Sequence, residues 1–276
     1  ALDEGIIPRC HFEDVTRADY EGFVLPFASG LLGLAVEYDT RVKIRLCDTL
    51  GFGLPWPGVS LPRSVPKLLH GLRQLGFASA WLEWHGHNDF HKVQVNAATA
   101  WQYGCSAANS TIFGFGERTG NTPLEAMVVE HAQLKGMTEG VNYAAITELA
   151  EYAKNELGVD IPNNYPLVGK HFNVTSAGIH ADGLLKDEEI YNCFDTKRLL
   201  NRPVGVAITD KTGAAGVKHY IEARYQIEIA KHDRRVSTIR DKIEAEYKAD
   251  RVSVISDEEM TAWIKEAFGN DLPKPR

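Results

Sequence analysis

Three features of the sequence predict an α/β fold, the C-terminal half of a (β/α)8 TIM barrel followed by a mostly helical C-terminal region. Four strand-then-helix units follow one another within about 130 residues, a pattern that produces parallel strands covered by helices. The chemically loaded clusters fall at the C-terminal ends of those strands, the face on which such barrels carry their catalytic groups. After residue 137 the pattern gives way to a Gly- and Asn-rich connector and a helical tail. Eight units typically occupy about 250 residues, so four make half a barrel. The expected division is 1–137 for the second half of the barrel, 138–217 for a linker and subdomain region, and 218–276 for a helical C-terminal region.

The elements run in order as follows. "IIPRCHFE" reads as a strand, and the helix after it opens at Thr16, with Asp19 three residues on in a capping-box-like start. "RVKIRLCDT" is the second strand, followed by a Gly/Pro-rich loop and the helix "SVPKLLHGLRQLG". "SAWLEWH" and "KVQVNAATAWQYG" form the third unit, "SAANSTIFGFG" and "TPLEAMVVEHAQLKG" the fourth. In the last helix Thr122, Pro123 and Glu125 supply an N-cap, a first-turn proline and a capping-box carboxylate. Farther on, "VNYAAITELAEYAKNELGV" is helical. Val236, Ile239 and Ile243 form one apolar stripe, and Ser256 with Glu259 caps a helix bearing Met260, Trp263, Ile264 and Phe268.

Composition narrows the function classes. With 44% hydrophobic and 24% charged residues the chain belongs with ordinary globular proteins. A net charge of −7 and the lack of a basic run remove the phosphate-neutralising term of nucleic-acid binding. No stretch approaches the roughly 18 apolar residues of a membrane span, so no membrane partner is expected. Cys10, Cys47, Cys105 and Cys193 show no C-x-x-C pairing, and reduced thiols in the cytoplasm are the expectation.

Three stretches could carry chemistry. In "WLEWHGHNDF" His85 and His87 are two residues apart, so on a strand they project together. They are either a pair of ligands for a divalent metal or ordinary polar residues where a strand leaves the core. "IFGFGERTGN" places Gly114, Gly116, Glu117, Arg118, Gly120 and Asn121 between a strand and a helix start, where glycines permit close backbone approach and free N–H groups can receive an anion; a tight turn with a Glu–Arg pair is the alternative. The third glycine falls one residue too late for a dinucleotide fingerprint. Arg9, His11 and Glu13 alternate along one strand and share a face, Asp48 and Thr49 end the next, and "SAGIHADG" carries His180, followed eleven residues later by Tyr191.

"HGHND", "GFGERTGN" and "SAGIHADG", in that order, resemble the acyl-CoA condensing branch of the DRE-TIM metallolyases, which includes 2-isopropylmalate, homocitrate, citramalate and Re-citrate synthases. The similarity runs nearly to residue 220. "PRCHFEDVTRAD", "VKIRLCDTLGFG" and "LPRSVPKLLHGL" look most like the Re-face-specific citrate synthases. The resemblance implies that His85 and His87 bind a divalent metal, manganese first among manganese, cobalt, zinc and magnesium. It implies that Arg9, Glu13, Thr49 and Asn121 line the keto-acid site, that Gly114, Gly116 and Glu117 belong to the mouth loop serving acetyl-CoA and catalysis, and that His180 and Tyr191 act in a partner subunit's site, making a homodimer with shared active sites. The implied reaction condenses acetyl-CoA with a 2-oxo acid, oxaloacetate, to citrate and CoA. Homocitrate or isopropylmalate synthesis, or a non-catalytic half-barrel, are the alternatives. Phe90, His91 and Phe113 depart from the commoner wording of relatives. The family's strand-one arginine and metal-binding aspartate have no counterpart here, so an N-terminal barrel half in the same or another chain is expected.

Overall fold

The computed structural model describes residues 1–175, 183, 190–230, 232–269 and 272–273. They form two compact units, Ala1–Glu139 and Gly140–Arg276.

The first unit is a parallel sheet with helices along the chain. Strands β1 (Arg9–Phe12), β2 (Lys43–Asp48), β3 (Leu82–Gly86), β4 (Ala107–Thr111) and β5 (Thr122–Pro123) lie in the order β1-β2-β3-β4-β5. Between them run α1 (Leu25–Glu37), α2 (Val65–Leu75) and α3 (Val93–Gln102), and α4 (Leu124–Lys135) follows β5. Every pairing is parallel. This is the α/β half-barrel arrangement that the four units predicted.

Side chains alternate across a strand, so each strand has two chemically different faces. Ile44 and Leu46 of β2 and Leu82 and Trp84 of β3 are fully buried and pack with Leu68, Leu69 and Leu72 of α2 and Ala97 and Ala100 of α3. The alternate residues Arg45, Cys47, Glu83 and His85 take the opposite face. Helix α2 is fixed at both ends, by the Ser64 side chain accepting from the Lys67 N–H and by Gly76 at φ 112°.

Two expected helix starts are corrected. Thr16 caps no helix; its hydroxyl donates to the buried carboxylate of Asp48 at 2.7 Å. Asp19 takes over the cap, accepting from the Gly22 N–H, and a π-helical turn over Tyr20–Val24 leads into α1. The cause is the demand of Asp48, which also accepts from the Gly53 N–H at 3.0 Å, because a buried carboxylate must collect donors. Likewise Thr122 and Pro123 pair with Ser110 and Thr111 as a short fifth strand. Pro123 becomes the N-cap of α4, and the Glu125 carboxylate accepts from the Phe113 N–H at 2.9 Å instead of closing a capping box. A proline without an N–H suits this end of the ladder.

The second unit contains α5 (Ala144–Glu156), a parallel pair β6 (Val174–Thr175) and β7 (Gly205–Val206), the short α6 (Thr196–Leu200), and helices α7 (Ala214–Tyr225), α8 (Arg234–Lys248) and α9 (Asp257–Phe268). Val236, Ile239 and Ile243 of α8 and Met260, Ile264 and Phe268 of α9 pack with Val217 and Ile221 of α7, as their spacing predicts. The capping box forms: Ser256 accepts from the Glu259 N–H, and Glu259 accepts from the Ser256 N–H at 2.8 Å. Among the described residues no helix is long and apolar enough to cross a membrane.

The Arg251 guanidinium, at 2.6 and 2.7 Å, together with the Ser256 N–H, pulls the Glu259 carboxyl down to about 2. A depressed carboxyl stabilises the fold above its unfolded value, about 4.3, and that contribution disappears as pH falls toward 2. Relative to the intrinsic exchange rate at each pH, amide protection across α9 should therefore fall between about pH 5 and pH 2, more steeply than in Glu259→Gln. Parallel profiles for the two proteins would contradict this cap.

Candidate active site

The polar face of the sheet is built in layers. Toward the N-terminal ends of the strands Glu83, only 7% exposed, receives Arg9 Nη2 at 2.8 Å on one oxygen and Arg45 Nε and Nη2 at 3.1 and 3.0 Å on the other. Two guanidinium groups make burial of this carboxylate tolerable, and removing Glu83 would leave both of them facing one another without a counter-charge. Arg9 is thus engaged one layer below the histidines.

The next layer holds Cys47, His85 and Asn109, which are direct register neighbours on β2, β3 and β4. His85 Nδ1 lies 2.9 Å from Asn109 Oδ1. An amide oxygen only accepts, so Nδ1 carries the proton and Nε2 presents a lone pair. Burial, the largest cause, with His87 and Arg45 adding to it, lowers the His85 pKa and keeps the ring neutral. A neutral imidazole with one nitrogen held by an oxygen acceptor leaves the other free to bind a cation.

The mouth layer is drawn together by a single arginine. Arg118 donates to Asp89 at 2.8 Å, to the Thr49 carbonyl at 2.6 Å and to His87 Nδ1, and lies 3.7 Å from Glu117. The rings of His85 and His87 meet edge to face, with centroids 5.1 Å apart at 78°. With Arg118 donating, His87 Nδ1 accepts and its Nε2 holds the proton, so His87 ligates only after exchanging that guanidinium for a metal. The Thr49 hydroxyl donates to Glu13 at 3.0 Å and accepts from the Asp14 N–H at 2.7 Å. Asn121, buried, donates to the Gly86 carbonyl at 3.2 Å, bridges His87 in antiparallel fashion and so ties the glycine loop to β3.

The sequence therefore located His85, His87, Glu13, Thr49 and Asn121 on one polar mouth. Gly114 and Gly116 have a local reason to be glycine: a Cβ on Gly116 would lie 1.9 Å from Asn121 Oδ1, and one on Gly114 2.9 Å from the Asn121 carbonyl oxygen. The room they leave is occupied by Asn121. The Glu117 side chain is 84% exposed. Tyr191 is an exposed residue of the second unit, and His180 lies outside the described residues. Arg45, Glu83 and Asn109 were missed. Glu83 stands two residues before His85 and Arg45 two before Cys47, so period-two counting could have found both; Asn109 required the strand register.

Fold and site together define an α/β protein whose parallel sheet gathers a histidine pair, carboxylates and an arginine at its strand ends. The chain belongs to the HMGL-like family, whose model matches residues 13–152. It is 50% identical to a citrate (Re)-synthase of Syntrophus aciditrophicus over 99% of this chain and 45% of that protein. A citrate (Re)-synthase of Clostridium kluyveri is 47% identical, over 99% of this chain and 62% of its own length. A 2-phosphinomethylmalate synthase of Streptomyces hygroscopicus is 38% identical, with 98% and 62% covered. The chain spans 45% to 62% of the length of these curated relatives. They bear out the resemblance carried by the three motifs.

His85 fits a divalent cation by its donor chemistry, since Asn109 sets its tautomer, and His87 stands beside it with its Nδ1 held by Arg118. Replacing Asn109 with leucine removes the acceptor that sets that tautomer. Affinity of the purified protein for divalent manganese, followed by calorimetry, should fall about 10–100-fold. Unchanged affinity in Asn109→Leu would show that the imidazole needs no such support.

Proposed function

We propose that the chain carries one half of the active site of a metal-dependent enzyme that condenses acetyl-CoA with oxaloacetate to citrate and CoA, of the citrate (Re)-synthase kind. The observation that carries this reading is the pairing of near-full-chain identity to citrate (Re)-synthases with an intact histidine pair whose first ring is held neutral and correctly protonated. In this reading His85 and His87 hold the cation, manganese first, with cobalt, zinc and magnesium as substitutes. When bound, such a cation polarises the carbonyl of the 2-oxo acid as a Lewis acid.

The remaining residues bind and orient. Glu13 and Thr49, already hydrogen-bonded at the mouth, face the 2-oxo acid, and Asn121 keeps the glycine loop closed beside it. Arg118 offers a guanidinium to an acidic substrate once it leaves His87. Arg9, held by Glu83, contributes positive potential from the layer beneath. Gly114, Gly116 and Glu117 form the rim against which acetyl-CoA is placed. His180 and Tyr191 perform the acid–base work in a second subunit's site, so the enzyme is a homodimer with shared sites. The other barrel half comes from elsewhere in the protein or from another chain, a reading supported by the fraction of the relatives' length covered here. All four cysteines are unpaired, which supports a cytoplasmic setting.

Substrate choice is tested by supplying acetyl-CoA with oxaloacetate, 2-oxoglutarate or 2-oxoisovalerate to the full-length native protein and following CoA release. Oxaloacetate should give the highest kcat/KM, by at least about tenfold, a difference of 1.4 kcal/mol in transition-state binding. Preference for either longer oxo acid would transfer the reading to homocitrate or isopropylmalate synthesis.

Shared sites are tested by mixing. His180→Ala should lose about 10²–10⁴ in rate, and His85→Ala should be inactive through loss of the cation. After subunit exchange verified by mass, the mixture should regain roughly a quarter of wild-type sites, because half of the dimers are hybrids with one intact site of two. Activity no higher than that of the separate variants would place His180 in its own chain's site or outside the reaction.

A further inference from the structure

A second set of donors converges on the polar face beside the histidine pair. His11 and Glu13 project to the same side because they are two residues apart, and β2 brings Cys47 next to them. His11 Nδ1 is 3.9 Å from Glu13 Oε1, and one ligand atom from each of His11, Glu13 and Cys47 lies within 4.8 Å of the others. Cys47 is fully buried, whereas the His11 and Glu13 side chains are 44% and 64% exposed. The thiol therefore forms the floor, and two exposed side chains stand between it and solvent.

The surroundings single out Cys47. Cys10 and Cys105 pack with the apolar core on the helix side, and Cys193 is exposed in the second unit. Burial, with Glu13 nearby, holds the Cys47 thiol up at about 12, so the free protein keeps it protonated and donating to the Arg45 carbonyl at 3.6 Å. A cation would displace that proton, as thiolate ligation requires. Zinc takes nitrogen at about 2.0–2.1 Å, carboxylate oxygen at about 2.0–2.2 Å and sulfur at about 2.3 Å, so the three donors need only close around it. Rotation of the two exposed side chains supplies the movement.

We propose that His11, Glu13 and Cys47 form a binding site for a thiophilic divalent cation, zinc by its chemistry, separate in its ligands from His85 and His87. Binding forms a metal–sulfur bond, breaks the S–H bond and releases the proton to solvent, with no change of oxidation state. The ion also captures Glu13 and ends its hydrogen bond from Thr49. Zinc bound there blocks the oxo-acid side of the mouth, a consequence that rests on the function proposed above; the cation site itself rests on the three donors.

Cobalt(II) is the probe, because a cobalt–thiolate bond produces a near-ultraviolet charge-transfer band that imidazole and carboxylate ligands do not. Cobalt added to the full chain to saturation should develop this band at the intensity of one thiolate per chain and zinc should abolish it, with release of one thiol proton measured at weak buffering. The band should be lost in Cys47→Ser and in His11→Ala, the latter an exposed position whose replacement spares the core. It should persist in Cys10→Ser, Cys193→Ser and His85→Ala. No band in the wild-type protein, a band surviving in Cys47→Ser, or its loss in His85→Ala would overturn the proposal. None of these readings depends on turnover, so a failure of the condensation reading would leave the result interpretable.

Discussion

The open face of the sheet depends on the buried carboxylate of Glu83, clamped between Arg9 and Arg45 across three strands. Charged groups of this density would ordinarily repel a sheet apart or draw water into it. Here each guanidinium finds an oxygen, the carboxylate is satisfied on both sides, and the strands that carry it are held in register directly below Cys47 and His85. Breaking such a buried pair typically costs about 3–5 kcal/mol. The layer is therefore a foundation on which an imidazole and a thiol can be set with fixed geometry.

Above it, each polar group determines the next. Asn109 sets the tautomer of His85, Arg118 sets that of His87, and Asn121 closes the glycine loop that positions Arg118. On the far side of the same strands Asp48 does comparable work, gathering Thr16 and the Gly53 N–H and so fixing the loop after β2, whose Gly53 carbonyl also accepts from Asn96. Its carboxyl is raised by burial, which outweighs the hydrogen bonds that oppose it. One strand, β2, thus carries a structural carboxylate toward the helices while Arg45 and Cys47 face the other way.

What the sequence made legible follows from range. Period-two alternation put His85 with His87 on one strand and Glu13 with Arg9 and His11 on another, and capping chemistry identified Ser256, because each of those signals is local. Thr16 was misread for the opposite reason: its hydroxyl belongs to Asp48, 32 residues away, and a local cap rule has no access to that partner. Glu125 failed similarly, its carboxylate going to the Phe113 N–H. Asn109 was invisible because its role exists only through the β3–β4 register, and the role of Gly116 through the approach of Asn121. The glycine loop read as a rim for ligands is first of all a loop packed on its own asparagine.

The proposed function requires the strand ends to present His85 and His87 to a single catalytic cation. X-ray absorption at the metal edge of the native protein carrying one equivalent of manganese addresses it most directly. The account predicts a shell of two imidazole nitrogens completed by oxygens, with no sulfur, and one imidazole fewer in His85→Ala. A shell without imidazole, or one that His85→Ala leaves unchanged, would contradict it.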